Sequence, residues 1–183
     1  MEVIVGIDPG TTFCGWAMLS LEDRLVASGC ISASSKLSGY KPRMINIANT
    51  LEGILLMYSN KGVHVVHAGI ESQFVKLNKK TVLALSQATG ALIMSIYRSS
   101  GVIADDIAPE SAKKIMRIKS SSYLNMEKSE KRKAIDAAMK EAVYLKYGKE
   151  VKKPDEAFAI AIARATLSIY KSGDVEIAES TTV

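Results

Sequence analysis

The sequence predicts an α/β fold: a mixed five-stranded sheet, three antiparallel strands followed by two parallel ones, with helices on both faces. Three observations predict it. The first thirty or so residues hold three apolar, β-branched-rich runs joined by turns too short for anything but antiparallel neighbours. Beyond residue 40 the apolar spacing changes to a helical period. From there on strands and helices alternate, which calls for parallel strands with helical crossovers.

The elements follow in order. Val3–Ile7 is a short apolar run bounded by Pro9-Gly10, a buried strand ending in a turn. Residues 12–19 alternate as a second strand, and Leu25–Ile31 reads as a third. Met44, Ile47, Ala48, Leu51, Ile54, Leu55 and Tyr58 share one face of a helix. Val63–Ile70 is a strand ending at Glu71. Val82, Leu85, Thr89, Leu92, Ile93 and Ile96 mark a second helix, and Val102–Ile107 a fifth strand. Ala108-Pro109-Glu110-Ser111 opens a short helix. Residues 117–126 read as a mobile loop, and residues 127–147 as a polar helix with Ile135, Ala138, Ala142 and Leu145 inward. Pro154 suits a first helical turn, and a helix over 155–170 follows. The expected order is β-β-β-α-β-α-β-α-α-α: one domain over residues 1–172, with a polar, flexible tail at 173–183.

Composition sets bounds. With 48% hydrophobic and 23% charged residues in 183, the chain reads as globular with a real core. No apolar run approaches the ~20 residues of a membrane span. The N-terminus enters a strand directly, so no signal peptide is expected and the cytoplasm is the expected location. Cys14 and Cys30 lack metal spacing and read as two buried free thiols. A net charge of +5 is compatible with a nucleic-acid partner, and the basic residues concentrate between 113 and 153.

Four acids stand where chemistry is placed. Asp8 closes the first strand and Glu71 the fourth; if those strands are parallel neighbours, both acids project from one sheet edge. Asp155 and Glu156 lie in the first turn of the last helix, where capping and the macrodipole already favour acids. Carboxylates converging from two strand ends and a helix start repel one another unless a cation intervenes. Mg²⁺ suits such oxygens, and two ions about 4 Å apart can hold a phosphodiester for in-line hydrolysis.

The segment G-I-D-P-G-T-T-F-C-G-W-A at Gly6–Ala17 resembles the first motif of the RuvC family of Holliday-junction resolvases, nucleases of the RNase H-like superfold. I-E-S-Q-F-V-K-L-N at Ile70–Asn78, leading into L-S-Q-A-T-G-A at Leu85–Ala91, resembles the second. A-P-E-S-A-K-K at Ala108–Lys114 and D-E-A-F-A-I-A-I-A at Asp155–Ala163 complete an ordered set across nearly the whole chain. The resemblance implies a crossover junction endodeoxyribonuclease that cuts four-way DNA junctions by paired nicks, leaving 5′-phosphate and 3′-hydroxyl ends. It implies two Mg²⁺ per site, replaceable by Mn²⁺, with Asp8, Glu71, Asp155 and Glu156 as candidate catalytic and metal-ligating acids. Phe74 matches an aromatic that stacks on a junction base. Lys113 and Lys128 match DNA-contacting lysines, and Asn78, Lys79, Lys80 and Lys131 are placed on the same DNA surface. A homodimer is implied, with its interface on the helix after Glu71. A branch-migration or replication partner is left open.

One departure stands out. The family pattern has two acids three residues apart on one helical face, whereas Asp155 and Glu156 are adjacent and point about 100° apart. One register pairs Asp155 with Phe158 at the second acid; the other pairs Glu156 with Lys153 at the first. Asp155 is the favoured ligand, and a carboxylate elsewhere in the chain is a further option. Two other functions remain open at this point. One is a branched-DNA-binding protein that does not cut. The other is an actin-like or sugar-kinase-type ATP-binding domain, suggested by D-P-G-T-T.

Overall fold

The computed structural model describes residues 1–34, 36–72 and 79–173. Five strands form one sheet: β1 (Glu2–Asp8), β2 (Phe13–Ser20), β3 (Leu25–Ser32), β4 (His64–Glu71) and β5 (Asp105–Ile107). Their spatial order is β3-β2-β1-β4-β5. β1–β2 and β2–β3 pair antiparallel, and β1–β4 and β4–β5 pair parallel, as the loop lengths require. The helices are α1 (Tyr40–Ser59), α2 (Lys79–Ser100), α3 (Pro109–Ile115), α4 (Lys128–Tyr147) and α5 (Pro154–Ser172).

The strand alternation divides the interior in two. Val3, Val5 and Ile7 of β1, with Cys14, Trp16 and Met18 of β2, pack beneath α1 and α2 through Ile47, Leu51, Leu55, Leu92 and Ile96. Ala17 and Leu19 face the other way, onto α5 and its neighbours α3 and α4. The middle of α5 is buried on nearly all sides, from Ala157 to Leu167. Such a helix needs a close seat, and three glycines provide it. A side chain on Gly6 would collide with the α5 backbone at Ala159 and Ala163. One on Gly15 would strike the Asp155 carbonyl, and one on Gly69 the Thr166 hydroxyl. The three stand on β1, β2 and β4, so α5 lies across the middle of the sheet and its first turn rests on β2.

Several local expectations change in the folded chain. β5 spans three residues, Asp105–Ile107, instead of starting at residue 102. Gly101 is left-handed (φ 76°), and the chain joins the ladder only where Gly69 of β4 meets Asp105. Residues 117–126 are not a plain loop: Ser120–Tyr123 forms a 3-10 turn, and Ile118 is buried beside α5. Leu145 is 76% exposed, because α4 buries the row Ile135, Met139 and Val143, and Leu145 falls on the other side of that row. Cys14 is buried and Cys30 only half-buried, since β3 is the sheet edge; both are free thiols. Burial pushes the Cys14 thiol well up and that of Cys30 up to about 11, so both are held as unreactive thiols. The tail beyond Gly173, read as flexible, lies outside the described residues.

A polar tie fixes α4 against the rest. Asp23, in the β2–β3 turn with φ 61°, accepts a 2.6 Å hydrogen bond from the Tyr147 hydroxyl at the end of α4. It also pairs with Lys146 at 2.9 Å and with Arg164 of α5 at 3.3 Å. Among the described residues no helix is long and apolar enough to cross a membrane.

Candidate active site

Asp8 ends β1 and Glu71 ends β4. Their strands are adjacent and parallel with Ile7 opposite Ile70, so the next residue of each projects from the same sheet edge. Both carboxyls are half-buried and share a hydrogen bond. Burial drives the Asp8 carboxyl far above its ordinary range. The charges of Glu71 and Asp155 and the hydrogen bond to Glu71 push the same way, and Arg132 opposes. Burial also raises Glu71, against the nearby Lys113 charge and the hydrogen bond from Asp8. Burial thus holds both carboxyls above their ordinary range, and the pair shares a hydrogen bond, as expected of two acids in one low-dielectric site.

Around this pair lies a cleft of about 330 Å³. Its acids are Asp8, Glu71, Asp136 and Asp155, and its basic side chains are Lys113, Lys128, Lys131 and Arg132. Ile135, Phe158, Pro109 and Pro154 complete the wall. A second groove of about 450 Å³ shares Asp8, Glu71, Asp155 and Arg132 and continues along Gly10–Phe13 to Ser72 and Leu85. The acids thus sit midway along a trough, with the basic side chains at one end and the Thr11–Thr12 turn at the other.

The structure separates the two neighbouring acids of α5. Asp155 faces the cleft together with Phe158, one turn on. This is the arrangement of the first register, with an aromatic ring at the second acid's place. Glu156 turns toward β3, where it accepts a 2.7 Å hydrogen bond from the Ser28 hydroxyl and lies 3.7 Å from the Lys149 ammonium. It is 9% exposed and is not among the residues that form the cleft.

The remaining predicted residues divide as follows. Lys113 enters the cleft while pairing with Glu110 at 2.7 Å, and Lys128 and Lys131 enter it from α4. Lys79 and Lys80 are exposed at the start of α2 and do not form part of the cleft. Phe74 and Asn78 lie outside the described residues. Two charged cleft residues were not among the candidate site residues: Arg132, counted only within the basic stretch 113–153, and Asp136. Both are on α4, and their spacing from Lys128 (i+4 and i+8) places them on the lysine's own face; that spacing was the available signal. Burial raises the Asp136 carboxyl, Arg132 opposes, Asp155 adds to it and Lys140 opposes.

The donor set suits a hard divalent cation in kind: carboxylate oxygens, two of them held above their ordinary range by burial where a cation would compensate their charge. Among the described residues no three such side chains stand close enough together to cage an ion.

A family model described as crossover junction endodeoxyribonuclease RuvC matches residues 4–165. The chain is 31% identical over 168 residues to the RuvC of Rickettsia africae, covering 90% of this chain and 96% of that one. It is 34% identical over 101 residues to that of Aliarcobacter butzleri, covering 54% of this chain and 61% of the relative. Among solved structures, Thermus thermophilus RuvC in complex with Holliday junction substrate superposes with a TM-score of 0.65 at 16% identity, over 94% of this chain and 97% of that one. That likeness confirms the mixed-sheet, RNase H-like fold. With a family match spanning both strand-end acids and the first turns of α5, this chain belongs to the RuvC family of crossover junction endodeoxyribonucleases.

Proposed function

We propose that this chain resolves four-way DNA junctions by paired symmetric nicks that leave 5′-phosphate and 3′-hydroxyl ends, using two Mg²⁺ (or Mn²⁺) held by Asp8, Glu71 and Asp155. The supporting observation is that the acids ending β1 and β4 stand side by side, sharing a hydrogen bond, in a cleft that Asp155 also enters. When bound, the cations supply an activated water and stabilise the leaving 3′ oxygen. The chain's own residues do the rest. Asp8, Glu71 and Asp155 would hold the cations as carboxylates, so the Asp8–Glu71 hydrogen bond opens as the site loads. Lys113, Lys128, Lys131 and Arg132 bring positive charge to the DNA backbone at one end of the trough. Ile135 and Phe158 form an apolar wall that limits water near the reacting phosphate.

Glu156, packed on Ser28, acts in this reading by holding the first turn of α5 against β3, which sets the aim of Asp155. Phe74, Asn78, Lys79 and Lys80 extend the DNA surface beyond the cleft, Phe74 as a stacking ring. A homodimer through α2 brings two clefts to one two-fold junction, so that both strands can be nicked. The exposed Leu83, Met94 and Tyr97 on α2 favour such an interface. The proposed setting is the cytoplasm.

The test is cleavage of a synthetic four-way junction with Mg²⁺ or Mn²⁺, beside a flap and an RNA duplex. Symmetric nicks on the junction that vanish in Asp8→Asn support the reading. Junction binding without nicks reduces the chain to a branched-DNA-binding protein, and preferential cutting of flap or RNA shifts the substrate.

A further inference from the structure

The cleft receives one carboxylate from α5, because Phe158 occupies the next position on the cleft face and Glu156 is engaged with Ser28 and Lys149. A fourth carboxylate reaches it from a different element. Asp136, on α4, lines the cleft with Asp8, Glu71 and Asp155. Its behaviour is unusual for an acid on a lysine-rich helix. Lys140 follows it at i+4, the favourable order for a helical ion pair, and Arg132 precedes it by four. Yet among the described residues Asp136 makes no ion pair with either, nor any side-chain hydrogen bond. It lines the cleft instead, where burial raises it, the Arg132 and Lys140 charges act on it only through space, and the Asp155 charge opposes them. A half-buried carboxylate that lines the cleft with three other acids, and closes no direct ion pair with the cations on its own helix, is placed for a cation.

We propose that Asp136 is a carboxylate of the cation site, supplied by α4 where the cleft face of α5 carries Phe158. The proposal rests on the metal-dependent reading above and adds a residue to it. Hydrated Mg²⁺ keeps several waters and binds through few direct carboxylates, so an acid facing the site strengthens binding directly or through those waters. The helix that brings the basic side chains to DNA thereby also contributes to the metal. Since the Asp23 tie to Tyr147 and Lys146 anchors its far end, α4 is held in place for both tasks.

The experiment is Mn²⁺ titration of the full-length chain without DNA, followed by the electron paramagnetic resonance signal of free Mn²⁺. The wild type is compared with Asp8→Asn, Asp136→Asn, Asp136→Glu and Glu130→Gln. Glu130 lies on α4 outside the cleft and controls for net charge. Asp136→Asn is expected to weaken Mn²⁺ binding by on the order of 10–100-fold. Asp136→Glu should restore much of it, and Glu130→Gln should leave it unchanged. Metal-free melting of Asp136→Asn should be no lower than wild type, because a like charge near Asp155 is removed. The Mg²⁺ needed for half-maximal junction cleavage should rise with the Mn²⁺ constant. If Asp8→Asn abolishes binding while Asp136→Asn binds like wild type, or weakens no more than Glu130→Gln, this proposal is overturned and the metal-dependent reading stands. If the wild type binds no Mn²⁺, both fall.

Discussion

The carboxyls of Asp8, at the end of β1, and Glu71, at the end of the adjacent parallel strand β4, share a hydrogen bond. One proton thus does, in the metal-free chain, part of what a divalent ion would do. Burying two acids side by side strains the charged form of each.

That strain predicts a pH dependence. Asp8 and Glu71 both have folded-state pKa values raised by burial, so the native state binds more protons than the unfolded chain. The sign follows from linkage: in EDTA, stability contributed by these groups is present at low pH and falls as pH climbs from the ordinary range, about 4, toward the raised native values. Asp8→Asn should therefore melt higher than wild type at neutral pH without metal while losing cleavage. Melting curves from pH 4 to 8 check this; a metal-free Asp8→Asn that melts lower at pH 7 would show that the pair is not strained.

The seat of α5 gives a packing prediction. Gly15→Ala places a methyl group against the Asp155 carbonyl, so the first turn of α5 must shift. The expected cost is about 1–3 kcal/mol. Because the displaced turn carries Asp155, cation affinity should drop together with stability. Urea unfolding and Mn²⁺ titration on the same sample measure both.

Asp23 is the anchor of α4. Burial works to raise its carboxyl, but hydrogen bonds from Tyr147 and Lys146 and the Arg164 charge outweigh it and hold it below the usual Asp range. Its stabilisation is thus present above the unfolded value of about 3.9 and disappears as pH falls through the lower native value. Asp23→Ala should cost on the order of 1.5–3 kcal/mol, the scale of hydrogen bonds to a charged group. Chemical denaturation at pH 7 reads the loss, and hydrogen exchange should show it concentrated at the C-terminal end of α4.

The basic wall is tested by salt. Lys113→Ala and Lys128→Ala should each weaken junction binding and reduce the slope of log affinity against log salt by about 0.9. Lys113→Ala should also leave Glu71 without its neighbouring cation and free Glu110 from its ion pair. Binding measured across a salt series decides it; unchanged slopes for both variants would remove the cleft from the DNA surface.

Glu156→Gln separates two roles for the adjacent acids. The amide can still accept the Ser28 hydrogen bond, so its effect on Mn²⁺ binding should be small, whereas Asp155→Asn should weaken it strongly. Equal losses in the two variants would contradict the separation seen in the structure.

Much of this was legible in the chain itself. Short turns between apolar runs forced β1, β2 and β3 to be antiparallel, and helix-length insertions forced β4 and β5 to be parallel. The acids Asp8 and Glu71 end strands, and strand ends are fixed by local pattern, so their meeting followed once β1 and β4 were neighbours. Errors came where local pattern was silent. Leu145 is apolar and at nearly helical spacing, yet the buried row of α4 is set by what α5 and Ile118 offer, and that row passes through Met139 and Val143. β5 has apolar residues from Val102 onward, but pairing is limited by where β4 can meet it.

By itself, then, the sequence determined the elements, the strand directions and the two strand-end acids, because these rest on periodicity, loop length and turn chemistry within a few residues. Only the tertiary structure decided that Asp155 enters the cleft while Glu156 turns to Ser28, and that Asp136 joins from α4. The phase of a helix about its own axis is set by its contacts with other elements: for α5 by Gly6, Gly15 and Gly69 beneath it, for α4 by the buried row on one side and Asp23 at its end.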